Sequence, residues 1–164
     1  MKKLYIILSA VFLLLFIVYQ LHTLHHPVHD NDEGIYATTF ALIEKGNAPY
    51  KTTFLSQPPG FLIAVYPFFT YLGSSLSAAR LGILFWSFIG MVTLIWICFK
   101  AKKPYAGFLA VALLPFISVY LSQTQTLQSD ILVSTFSVLS LAFFLLFFVH
   151  LIPPHSLVRR YCPS

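Results

Sequence analysis

Four of the chain's five acidic residues, Asp30, Asp32, Glu33 and Glu44, fall in one polar stretch between positions 30 and 60; the fifth, Asp130, opens a late apolar run. Adjacent carboxylates such as Asp32-Glu33 suit general-base work. At a water–lipid boundary a carboxylate is partly desolvated, which strengthens it as a proton acceptor. The competing reading is structural, because Asp30 with Glu33 three residues on has the spacing of a helix-capping box. Asp130 divides the same way. An acid at the start of a membrane helix marks a functional site by default, yet it also caps the helix and suits the positive end of its dipole. His22, His25, His26 and His29 have helical spacings that could present metal ligands on one face. The plainer reading is a histidine cluster where a helix leaves the bilayer, with Pro27 breaking the helix, and no metal is assigned. There is no glycine-rich phosphate loop, no G-x-S-x-G and no H-E-x-x-H, which argues against nucleotide chemistry.

The elements that must position these acids are apolar. The chain has 164 residues, of which 58% are hydrophobic and 9% charged, and a mean hydropathy of +0.81. Soluble domains carry about 25% charged residues. The deficit, with several apolar runs near spanning length, indicates an all-α integral membrane protein. The net charge of +5 gathers at helix ends as a topology signal and offers no basic face to a duplex, so nucleic acid is excluded as a partner. Cys98 and Cys162 belong to no CxxC pair and fall near the expected cytoplasmic side, so neither a disulfide nor a zinc site is expected.

Lys2 and Lys3 precede an apolar run over 4–21. No A-x-A-like cleavage site follows it, so the run reads as an uncleaved first span with its N-terminus inside. Residues 33–45 form an amphipathic stretch with Tyr36, Phe40 and Ile43 on one face, stopped by Gly46-Asn47. About three turns cannot span, so this helix should lie along the membrane surface. Further spans are expected at 81–99, 105–121 and 131–152. The run 61–73 is interrupted by Pro67. If it spans, the lysines of 100–103 and the pair Arg159-Arg160 fall outside. If it lies in the interface or re-enters, seven of the ten basic residues are inside, as the positive-inside rule requires. The expectation is therefore four spans, with one or two juxtamembrane helices in the first extracytoplasmic loop. Residues 1–152 form the membrane region and 153–164 an irregular basic tail. Asp32, Glu33 and Asp130 then share the extracytoplasmic face.

The order of features resembles the N-terminal part of the GT-C membrane glycosyltransferases, specifically the protein O-mannosyltransferase and lipid A aminoarabinose-transferase-like group. The matching residues are Asp32-Glu33, Tyr36, Gly46, Pro49-Tyr50, Pro58-Pro59, Leu72-Gly73, Ala78-Ala79-Arg80-Leu81 and Asp130. The resemblance covers about 4–150. It implies inverting transfer of a sugar from a polyprenyl-phosphate carrier to an extracytoplasmic lipid, glycan or protein acceptor, in the inner membrane. Asp32 is then the catalytic base or acceptor-orienting group, Glu33 its support and Asp130 a second acid. Tyr36 lies near the carrier phosphate. The departing phosphate needs cationic or hydrogen-bonding partners. Lys51 and Arg80 are the candidates, with interfacial snorkelling as their alternative. Relatives usually carry a basic residue where this chain has Gln57, which hydrogen-bonds a phosphate without neutralising it. Relatives also have many more helices, so the resemblance implies an N-terminal portion, truncated or frame-shifted. No cofactor is implied beyond the lipid-linked sugar. The alternative function is a small non-catalytic membrane protein that binds a partner or lipid and uses its acids as caps.

Overall fold

Runs of this length, without period-two alternation, satisfy their backbone polar groups internally as helices. A computed structural model describes residues 2–27 and 31–151. Among them the regular elements are all helical: α1 (Lys2–Thr23), α2 (Asn31–Glu44), α3 (Pro59–Tyr71), α4 (Leu76–Lys100), α5 (Pro104–Leu113), α6 (Ser118–Gln125) and α7 (Asp130–Leu151), with a 3₁₀ turn at Leu114–Phe116. The expected basic tail with Arg159, Arg160 and Cys162 lies outside the described residues, as do His29 and Asp30.

Local chemistry sets the helix ends. α2 stops where Gly46 takes a left-handed φ of +94°, letting the Asn47 N–H donate to the Leu42 carbonyl at 3.1 Å. α3 stops the same way at Gly73, with the Ser74 N–H on the Phe69 carbonyl at 2.7 Å. Both are Schellman endings, which favour glycine because other residues strain there. α4 begins five residues earlier than the apolar run suggested, because Ser75 caps it by accepting from the Ala78 N–H at 3.2 Å.

One expected span is corrected. Residues 105–121 are not a single helix. Pro115 has no N–H for the Val111 carbonyl, and its ring crowds that turn. α5 therefore ends at Leu113, Ile117 is extended, and α6 departs at 74°. By length and composition α1, α4 and α7 each suffice to cross a membrane, and the bent α5–α6 pair makes a fourth if taken as one span. α3, at 13 residues, is about 20 Å long and falls short of a hydrocarbon core of about 30 Å.

α4 packs against α1, α3, α5, α6 and α7. α2 lays Tyr36 and Phe40 on α3, where Phe40 meets Phe61, Tyr66 and Phe69 at ring-centroid distances of 5.9, 5.5 and 5.6 Å. Ile43, expected on the same face, is only partly buried. α3 is pinned to α4 by the Trp86 indole N–H on the Ala64 carbonyl at 3.0 Å. α7 approaches α4 at Gly90, where an added Cβ would stand 2.9 Å from the Thr135 hydroxyl. The polarity of the bundle follows from these contacts. α1 ends, and α4 and α7 begin, around Arg80. The opposite end holds the start of α1, where Tyr5 lies 6.4 Å from Phe108, and the lysines between α4 and α5.

Candidate functional site

Glu33 lies in the first turn of α2, on the stripe that buries Tyr36 and Phe40, so its carboxylate is turned inward and has no solvent exposure. Burying a charge is costly unless it is paired and hydrogen-bonded. Arg80, in the first turns of α4 and 1% exposed, meets that need. Its Nε donates to Oε1 and its Nη2 to Oε2, each at 2.7 Å. Nη1 donates to the carbonyls of Leu24 at 2.8 Å and His26 at 2.7 Å, and Nη2 reaches the Pro27 carbonyl at 3.4 Å. Those carbonyls trail from the C-terminus of α1, which has no intrahelical donors left for them. On the other side, the backbone N–H of Leu127 donates to Glu33 Oε1 at 2.9 Å. One ion pair thus ties the end of α1, α2, α4 and the link into α7.

Guanidinium carries five N–H donors, and this arrangement gives each a partner. Arg80 as folded therefore has no donor left for a carrier phosphate, and Glu33 has both oxygens engaged. The geometry makes the pair a structural lock. Asp32, the next residue outward, is exposed. Asp130 is also exposed, in the first turn of α7, three residues beyond the Leu127 that Glu33 holds. The two exposed acids thus belong to the same end of the bundle.

A second network joins Tyr36 to Gln57. The Gln57 side-chain amide donates to the Tyr36 hydroxyl at 2.7 Å, and that hydroxyl lies 3.3 Å from Ser56 Oγ. Tyr36 stacks at a tilt on Phe61, 5.2 Å between centroids. The Tyr50 hydroxyl donates to the Gln57 carbonyl at 2.9 Å, and partial desolvation raises its pKa from the ordinary tyrosine value. Thr39 fixes the same loop from below by donating to the Phe54 carbonyl at 2.9 Å. Lys51 is exposed on the turn that precedes it. Beside this loop a cleft of about 460 Å³ opens between the start of α3 (Pro58, Gly60, Phe61) and α7 (Ser129, Leu132, Phe136).

His25 Nδ1 lies 3.2 Å from Ser77 Oγ, and among the described residues no three His, Cys, Asp or Glu side chains gather as a metal site.

Sequence reasoning missed the polar clasps between helices. Gln20 of α1, 2% exposed, donates to Thr124 of α6, and Thr23 bonds the Gln20 carbonyl at 2.9 Å. Ser87 of α4 meets the Tyr120 hydroxyl of α6 at 2.8 Å. Thr135 of α7 donates to the Trp86 carbonyl of α4 at 3.0 Å. The available signal was the presence of Gln and Ser inside or at the edge of apolar runs, where such side chains seek partners on neighbouring helices. No family of proteins, no curated protein and no solved structure matches this chain.

Proposed function

We propose that the chain spans a membrane through α1, α4, α7 and the bent α5–α6 pair, with its N-terminus inside. In this reading it acts as a GT-C-type glycosyltransferase, moving a sugar from a polyprenyl-phosphate carrier to an extracytoplasmic acceptor. The observation that carries this reading is the buried Glu33–Arg80 pair with its bond from Leu127, which holds the exposed acids Asp32 and Asp130 at one end of the bundle.

The chemistry is a displacement. An acceptor hydroxyl or amine attacks the anomeric carbon while the carbon–oxygen bond to the carrier phosphate breaks. The electron pair leaves on the phosphate, and Asp32 takes the acceptor's proton. Inversion follows from attack opposite the leaving group. Tyr36, Gln57 and Lys51 supply hydrogen bonds and charge toward the phosphate, and the cleft between α3 and α7 accommodates the apolar part of the carrier. Asp130 acts as the second acid. Glu33 and Arg80 act as positioning residues.

The full chain reconstituted in vesicles with polyprenyl-phosphate sugars should release polyprenyl phosphate, and Asp32→Asn should abolish that release without altering membrane integration. Unchanged release by Asp32→Asn overturns the assignment of the base. A second reading, a non-catalytic membrane protein that binds a partner or lipid, is favoured by the complete use of Glu33 and Arg80 in folding contacts. Absence of release with every carrier sugar, by a chain that folds and inserts, favours this second reading.

A further inference from the structure

The end of the bundle remote from Asp32 carries its own chemistry. α4 terminates at Lys100, and two more lysines, Lys102 and Lys103, follow within one turn. The turn closes when Lys102 takes a left-handed φ of +59° and the Lys103 N–H donates to the Cys98 carbonyl at 2.9 Å. A glycine would occupy that position at less cost. The described acids Asp32, Glu33, Glu44 and Asp130 all belong to the opposite end. All three lysines are exposed, and the Lys100 ammonium is held 5.6 Å from the centroid of the Trp96 ring, a cation–π contact. Directly beside it, α4 and α7 line a cavity of about 290 Å³ with Trp96, Ile97, Lys100, Ala142, Leu145 and Leu146.

We propose that this cleft binds an anionic phospholipid, with an acyl chain between Ile97 and Leu145–Leu146 and the head-group phosphate at Lys100 and the adjoining lysines. A purely apolar groove would accept any lipid tail. A cluster of lysines at the mouth of an apolar cleft, with no described acid beside it, selects negative charge. Trp96, beside Lys100 in that lining, is of a type enriched at membrane–water interfaces. If the lysines mark the inside, the lipid belongs to the inner leaflet. The inference rests on the membrane-spanning part of the proposed function and not on glycosyl transfer.

The test uses the full chain in detergent, with retained lipid read by native mass spectrometry during titration with phosphatidylglycerol or phosphatidylcholine. Phosphatidylglycerol should be retained in preference. Each lysine near the surface contributes about fivefold, so Lys100→Gln should weaken retention by about that factor. Lys45→Gln, exposed just after α2 at the other end, should leave it unchanged. Leu145→Trp, which fills the cleft, should also reduce retention. Equal retention of the two lipids, equal effects of Lys100→Gln and Lys45→Gln, or glycerophosphate binding as tightly as the lipid would each overturn the proposal. Alkaline washing of membranes separates the two readings: a chain that washes off refutes membrane insertion and this site together, whereas one that stays but shows no lipid preference refutes the site alone.

Discussion

Arg80 meets Glu33 as a planar fork on a carboxylate, Nε to Oε1 and Nη2 to Oε2, both at 2.7 Å, with neither side chain in contact with solvent. The partners lie on different helices, and the remaining guanidinium protons hold carbonyls that α1 leaves behind. The pair is therefore where separate parts of the chain are joined, and its loss should be felt throughout the bundle.

Removing one partner strands the other as an uncompensated buried charge, which costs about 3–5 kcal/mol. Arg80→Ala and Glu33→Gln should each lower the melting temperature in detergent markedly and expose the loop after α1 to protease. Arg80→Lys should recover little, because an ammonium cannot reproduce the bidentate fork and reach the α1 carbonyls together. The double change Glu33→Met with Arg80→Leu should be milder than either single loss, since it leaves no buried charge. A double variant as unstable as the sum of the singles would contradict this.

The neighbouring acids should separate cleanly. Asp32 is exposed and Glu33 buried, so Asp32→Asn should leave stability within about 0.5 kcal/mol, as surface substitutions usually do. In the proposed reaction it should still remove turnover. Glu33→Gln should lower stability and turnover in parallel. Comparing melting temperature with turnover for both variants checks this, and a stable but inactive Glu33→Gln would move the proton-accepting role to Glu33.

Much of the helix layout was legible in the sequence, and most of the lock was not. Apolar runs gave α1, α4 and α7, and the Gly46 stop bounded α2, because those signals are local, whereas α3 runs on through the Pro67 expected to interrupt it. Pro115 was visible too, but composition alone averaged it into a single span, and the 74° break appeared only in three dimensions. Glu33 and Arg80 were both singled out, yet for separate roles. Nothing local in the sequence announces that a first-turn acid on one helix faces a base near the start of another. The Leu127 N–H that completes the site carries no side-chain signature at all.

Gly90 offers a test of how closely α7 sits on α4. A Cβ there would lie 2.9 Å from Thr135 Oγ1 and 3.6 Å from the Thr135 Cα. Thr135 is also tied to the Trp86 carbonyl, so it cannot swing aside without losing that bond. Gly90→Val should cost about 1–3 kcal/mol, the usual range for overpacking. Gly90→Val with Thr135→Ala, which removes the crowding hydroxyl, should recover part of the loss. Thermal melting of the variants in detergent checks both, and a Gly90→Val protein as stable as the parent would mean the helices are not in contact there.

The bundle's polarity makes a labelling prediction that needs no activity. Leu127 is bonded to Glu33, and α7 begins three residues later, so Asn31→Cys and Ser129→Cys lie at one end of the molecule while Lys103→Cys lies at the other. In a background with Cys98 and Cys162 replaced by alanine, an impermeant maleimide applied to intact cells should modify positions 31 and 129 alike. Position 103 should react only after the membrane is opened, because lysine-rich turns stay on the cytoplasmic side. Reaction at 103 alone would invert the orientation while keeping the fold. Reaction at only one of 31 and 129 would be incompatible with a carboxylate on α2 reaching the backbone ahead of α7, and the proposed site would fall with it.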